Sequence, residues 1–175
     1  MAIDPAFILF GGFAEDALLY AGVSRPHDDV DVLVWLDELP ARQAQLSELG
    51  FGEFEVRFEP AAGRPLVVGA LGGPVDLELC IGQRTNDGAL FFELPDVSGP
   101  QCVWLPADAL QHPTATLENI DVRVPSPLLL YQVRTAMGGA MGGLRPKDEL
   151  TQSALRNRFF PDVPEASLAP RVTSP

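Results

Sequence analysis

The sequence predicts an α/β (α+β) fold, a mixed β-sheet flanked by helices with a short helical C-terminal portion. Three observations carry this. Strand-like apolar runs alternate with helix-like segments through residues 6–50, the pattern of a sheet crossed by helices. Two apolar runs at 65–70 and 75–81 are separated only by LGGP, a hairpin turn, so neighbouring strands also run antiparallel. From Pro125 onward the pattern becomes helical.

Each element has its own signal. AFILF (6–10) reads as a short buried strand, and Gly11-Gly12 turns it into a helix over about 12–21 that Gly22 ends. Residues 30–36 form the next strand. Asp37 is placed to cap a helix over about 38–49, with Pro40 in its first turn and Gly50 closing it. GEFEVRFEP alternates cleanly, which predicts a half-solvated strand with Phe54, Val56 and Phe58 inward and Glu53, Glu55, Arg57 and Glu59 outward. Residues 88–125 are Pro-rich with short strand-like pieces whose pairing the sequence does not specify. PSPLLLYQVRTAM then predicts a helix up to a glycine-rich break at 138–143, and a second helix follows from Pro146 to Arg158. The Pro-rich tail after Phe160 is expected to pack loosely. A main domain of residues 1–125 followed by a helical C-terminal segment and tail of 126–175 is the organisation this implies.

Composition bounds the function. A chain of 175 residues, 46% apolar and 21% charged, buries a real core in one domain or a domain with an appendage. The opening MAIDPAFILF lacks the positive region of a signal peptide, and no apolar run is long enough to span a bilayer. Two cysteines, Cys80 and Cys102, suggest neither a disulfide framework nor a zinc spacing, so a cytoplasmic protein without membrane attachment is expected. The net charge of −12 argues against tracking a nucleic-acid backbone. It suits a cationic small molecule or a metal site, or simply a soluble surface. All 12 cationic residues are arginine except Lys147.

The chemistry concentrates in GGFAEDALLYAGVSRPHDDVDVLVW (11–35). Asp29 and Asp31 alternate with Val30, Val32 and Val34, so a strand turns both carboxylates to one face, with Cα atoms roughly 6.6 Å apart. Asp76 and Glu78 likewise share a face with Cys80 in VDLELC. If the two strands are neighbours, up to four carboxylates converge, a self-repelling cluster that divalent cations would relieve. Gly11 and Gly12 let a backbone approach phosphate closely, and the helix after them offers free N–H groups and a positive dipole end. Each motif is weak alone; their order is more telling.

That order resembles the nucleotidyltransferases of the DNA polymerase β-like superfamily, most closely the aminoglycoside and lincosamide branch. Its Gly-Gly-aromatic-Ala motif, following Asp and Gly, and Arg-x-His-x-Asp-hydrophobic-Asp run are matched by Gly11, Gly12, Phe13, Ala14, Asp16, Gly22, Arg25, His27, Asp29 and Asp31. Val75, Asp76 and Leu77 fit the strand of the third carboxylate, and Arg145, Pro146, Lys147 and Asp148 fit a motif opening a C-terminal helix. Phe13 stands where Trp is usual, and Glu78 stands where His is usual. The resemblance implies an adenylyltransferase-like enzyme that moves AMP from ATP, or a monophosphate from another NTP, onto a hydroxyl of a small acceptor such as an antibiotic. It implies two Mg²⁺ ions on Asp29 and Asp31, with Asp76 completing the metal site or acting as base. Gly11, Gly12, Ser24, Arg25 and Lys147 would contact phosphates. His27 would orient Asp29 or cap its turn; Arg25 could instead pair with a carboxylate, Lys147 could be a solvated cation and Glu78 could face solvent. Trp35 and Trp104 read as core residues and His112 as a loop residue. The short C-terminal portion leaves the cleft open on one side, which a homodimer would close. The alternative is an antitoxin-like or partner-binding protein of the same fold with little or no catalysis, and a blander one an acidic domain without metal.

Overall fold

The computed structural model describes residues 7–59, 64–94, 101–105 and 114–173. The chain begins with strand β1 (Ile8–Leu9), helix α1 (Gly11–Leu19) and strand β2 (Val30–Trp35). A 3-10 turn at Leu36–Glu38 leads into α2 (Leu39–Glu48), then β3 (Glu53–Phe58), β4 (Val67–Leu71) and β5 (Leu77–Arg84). Short strands β6 (Leu90–Glu93), β7 (Cys102–Trp104), β8 (Thr114–Leu117) and β9 (Ile120–Arg123) follow. Helices α3 (Pro127–Ala140), α4 (Pro146–Phe159) and α5 (Glu165–Leu168) and strand β10 (Arg171–Thr173) complete it. The mixed sheet flanked by helices is the predicted one.

Strand β5 organises the sheet. It runs parallel to β2 over Leu77–Gly82, antiparallel to β4 over Leu77–Cys80, and antiparallel to β6 at Gln83 and Arg84. Strand β1 continues the sheet beyond β2, β3 beyond β4, and β7 and β10 beyond β6. Strands β8 and β9 form a separate hairpin. Alternation along β2 assigns the two faces: Val32 and Val34 join a core with Leu77, Leu79, Ile81 and α2's Leu46. Leu33 and Trp35 join the larger core with α1, α3 and α4. Asp29 and Asp31 have the parity of Leu33, so both carboxylates lie on the α1–α3–α4 side.

Several expectations are corrected, each for a tertiary reason. Helix α1 ends at Leu19, not at Gly22: Ala21 takes the left-handed turn (φ 56°), and an Arg158 N–H of α4 donates to the Leu19 carbonyl at 2.6 Å. Asp37 does not cap α2, because it and Glu38 pair with Arg84 at 3.5 and 2.8 Å. Val56 and Phe58 are exposed (50% and 41%), since among the described residues β3 is an edge strand paired with β4 alone. Helix α3 runs through Gly138 and Gly139, and Leu144 packs where a Gly138 side chain would stand. The tail does not fray: Leu168 is buried in the larger core and β10 pairs antiparallel with β7. Trp35 is a core residue, whereas Trp104 is half-buried and donates to Thr173 at 2.8 Å. Ala6 and His112 lie outside the described residues. Both cysteines are free, and no helix among the described residues is long and apolar enough to cross a membrane.

Candidate active site

The parallel pairing of β2 and β5 brings the predicted carboxylates together. Asp31 stands opposite Glu78 in register, and Val30 N–H donates to the Asp76 carbonyl at 2.8 Å, which places Asp76 beside Asp29 just before β5 begins. Burial is the largest influence on Asp31 and lifts its carboxyl to about 6; the charges of Asp29 and Glu78 push the same way. The Cys80 thiol, 3.5 Å from Asp31 Oδ1, and the Arg134 charge oppose this only in part. Burial and the neighbouring carboxylates in turn hold the Cys80 thiol well above its usual range.

The glycine pair sits against this cluster. Gly11 has φ +54°, and a Cβ there would stand 1.9 Å from Asp31 Oδ2. Only glycine meets both conditions. The backbone of α1's first turn therefore lies directly on the carboxylate, and the N-cap residue, Phe10, makes no side-chain capping hydrogen bond. At Gly12 a Cβ would overlap the His27 ring, 2.5 Å from its Nδ1 and Cε1.

Asp16 explains how the Arg-x-His loop is held. It accepts hydrogen bonds from Ser24 N–H at 2.9 Å and Ser24 Oγ at 2.5 Å, and its Oδ2 lies 2.8 Å from His27 Nε2. Burial tends to raise the Asp16 carboxyl, but these partners leave it below the ordinary value. The His27 ring also stacks on Phe13, with centroids 4.2 Å apart. One aspartate of α1 thus locks the turn that delivers Asp29 and Asp31. Ser24 is committed to Asp16, while Arg25 is half-buried with its guanidinium near Gly12.

Glu78 is paired with Arg57 of edge strand β3, which reaches across β4. That reach requires Gly69, where a Cβ would lie 2.4 Å from Arg57 Nε. A glycine inside a strand is the sequence sign of such a close approach, but only the β3–β4–β5 order shows what approaches. Glu78 thus forms an ion pair, and among the described residues Asp29, Asp31 and Asp76 have no arginine within ion-pair distance. Among the described residues no three His, Cys, Asp or Glu side chains are gathered closely enough to hold a metal by themselves. Mg²⁺ needs only one or two carboxylates, the rest coming from water and phosphate oxygens, so the donor set fits it.

Gly11 also lines a cavity of about 240 Å³ between α1, α3 and α4. Arg134 of α3 there holds Glu15 of α1 (Nε to Oε1, 2.6 Å) and Asp148 of α4. Arg145 adds a bidentate pair to Asp148 at 2.5 and 3.2 Å. Burial raises Glu15 despite Arg134, whereas Asp148, for which burial is also the largest influence, is carried below its usual value by both arginines. Of this network the sequence offered only Arg145 and Asp148, as part of a motif. Lys147 is exposed in the first turn of α4.

Comparison of the sequence with protein-family models gives no match, and comparison with curated proteins gives none either. Solved structures do match. The chain is similar to the lincosamide antibiotic adenylyltransferase LnuA bound to lincomycin, at 16% identity and TM-score 0.53, over 86% of this chain and 85% of that one. It is similar to the antibiotic-resistance factor ANT(2'')-Ia in solution, at 16% identity and TM-score 0.60, over 93% and 77%. The crystal structure of ANT(2")-Ia with adenylyl-2"-tobramycin matches at 16% identity and TM-score 0.57, over 93% and 82%. The chain has the nucleotidyltransferase fold of these antibiotic-modifying enzymes.

Proposed function

We propose that this protein is a Mg²⁺-dependent nucleotidyltransferase that moves a nucleoside monophosphate, AMP from ATP, onto a hydroxyl of a small acceptor. The observation that carries this is the contact between two halves of a phosphoryl-transfer site: the uncapped α1 backbone at Gly11 lies against Asp31, beside Asp29 and Asp76. The shared fold of enzymes whose products include an adenylylated antibiotic supports it.

Asp29 and Asp31, with Asp76 beside them, would hold Mg²⁺, which neutralises triphosphate charge and polarises the reacting phosphorus. Gly11 and Gly12 offer backbone N–H groups to the phosphates, and Arg25 and Lys147 add positive charge. Ser24 keeps the loop of Arg25 in place through Asp16. Asp76, exposed at the mouth of β5, accepts the proton of the acceptor hydroxyl. The freed oxygen attacks the α-phosphorus, and pyrophosphate leaves with the electrons of the broken bond. Much of the rate comes from holding the reactants in line. The acidic surface suits a cationic acceptor.

A thermal-shift screen of NTPs with Mg²⁺, then pyrophosphate release with panels of aminoglycosides, lincosamides and sugars, tests the reading. Stabilisation at 100 times Kd is about 2.7 kcal/mol. Release that is lost in Asp29→Asn and Asp31→Asn is the expected result. No nucleotide binding by the wild type, with and without Mg²⁺, would overturn it. A partner-binding role draws mild support from the short C-terminal portion and from Glu78, whose charge Arg57 compensates.

A further inference from the structure

We propose that Glu118, at the tip of the β8–β9 hairpin, is a positioning residue for Asp29: it grips the loop between α1 and β2 at Gly22 and fixes how that loop enters β2. This rests on the nucleotidyl-transfer reading and adds to it a residue outside the Gly-Gly and Arg-x-His-x-Asp-x-Asp motifs.

Three residues other than glycine have left-handed backbone among the described residues, and all three meet at this junction: Ala21 (φ 56°), Glu118 (φ 49°) and Asn119 (φ 65°). Leu117 pairs with Ile120, so Glu118 and Asn119 form a two-residue hairpin turn. Both central residues of such a turn take positive φ, which suits asparagine or glycine, whereas glutamate is strained there. Alanine is equally strained at position 21. Strain of this kind persists only where surrounding contacts hold it, and its gathering in one place points to a function.

The contacts that hold it lie on the loop. Glu118 N–H donates to the Ala21 carbonyl at 3.2 Å, and Glu118 Oε1 accepts from Val23 N–H at 2.9 Å, across 95 residues of sequence. The two bonds bracket Gly22, where a Cβ would stand 3.0 Å from that same oxygen. Gly22 lies past the end of α1 and its backbone is not left-handed, so the close approach of Glu118 is what accounts for glycine at this motif position. The next amide, Ser24 N–H, donates to Asp16. Successive N–H groups are thus held by carboxylates of two elements, α1 and the hairpin. Asp16 grips the loop from one side, and Glu118 supplies the second point that stops it pivoting. The hairpin is itself anchored: β8 packs against α1, and Val122 is buried in the larger core with Ala115 and Leu117 against it. From Ser24 the path to Asp29 is short and contains Pro26, whose φ is fixed, so a shift at Val23 is carried to Asp29.

Glu118→Gly separates positioning from stability. Glycine suits the left-handed turn, so the melting temperature should hold or rise, while Val23 N–H loses its acceptor. Exchange of the Val23 amide in metal-free buffer should quicken, and calorimetric titration with Mn²⁺–ATP should give a Kd about threefold weaker than that of the wild type. Glu118→Gln keeps an oxygen for Val23 N–H and should restore both readouts, which a mere loss of charge would not allow. Unchanged Mn²⁺–ATP affinity in Glu118→Gly, or equal losses in the two variants, would overturn this proposal while leaving nucleotidyl transfer standing. A wild-type protein that binds no Mn²⁺–ATP would instead overturn the nucleotidyl-transfer reading, and the role of Glu118 with it.

Discussion

Two groups of carboxylates, one in the cavity that Gly11 lines and one against Gly11 on the sheet, differ in charge balance. Under the helices, Glu15 and Asp148 meet Arg134 and Arg145, two acids with two guanidiniums. On the sheet, Asp29, Asp31, Asp76 and Glu78 stand on neighbouring strands, and the one ion pair to them among the described residues is that of Arg57 with Glu78. The balanced group joins α1, α3 and α4 into one body. The unbalanced group leaves a half-buried Asp31 whose carboxyl is raised to about 6 by burial and then by Asp29. The balanced group is a structural joint, and the unbalanced one is where the proposed cation would sit.

The strongest way to break this contrast is Arg134→Ala. It leaves two buried carboxylates short of a partner at once, so a loss of roughly 3–5 kcal/mol is expected in urea unfolding. Asp16→Ala removes the acceptor of Ser24 and His27 and should cost roughly 2–3 kcal/mol. Hydrogen exchange of the 24–29 amides should rise in that variant even where the rest of the sheet stays protected.

Neutralising one acid in each group should act in opposite directions. Asp148→Asn is expected to lose roughly 2 kcal/mol, because its hydrogen bonds come from charged groups. The folded Asp148 carboxyl sits below its ordinary 3.8. Its stabilisation is therefore present above pH 3.8 and disappears as pH falls through the lower folded value. Melting curves of wild type and Asp148→Asn should accordingly differ at pH 5–7 and converge in stronger acid. Asp31→Asn in metal-free buffer removes a charge that repels its neighbours, so stability is expected to hold or rise by up to about 1 kcal/mol. A fall like that of Asp148→Asn would mean that the sheet cluster is a structural joint as well.

The smallest effect is expected at Arg57. Its pair with Glu78 is partly solvated, so Arg57→Ala should change stability by less than about 1 kcal/mol. It should strengthen Mg²⁺ binding, measured by calorimetry, because Glu78 then adds an uncompensated charge beside Asp31.

The sequence by itself determined the strand–helix order, the hairpin at LGGP, and the alternation that puts Asp29 and Asp31 on one face. These are local matters: period 2 in a strand and the turn chemistry of glycine act over a few residues. It also supplied the motif on which the resemblance to nucleotidyltransferases rested, and the shared fold agrees with it. The tertiary structure alone decided what depends on distant partners. Val56 and Phe58 alternate as core residues do, yet an uncovered edge exposes them. The tail reads as loose, yet β7 offers Arg171–Thr173 a strand to pair with. Glu78 reads as a fourth acid for the metals, yet Arg57 reaches it because Gly69 leaves the way open. Glu15 reads as one more acid on a helix until α3 brings Arg134 against it, 119 residues away. Charge compensation is a property of space, and a linear pattern shows which residues are charged but not which of them will meet.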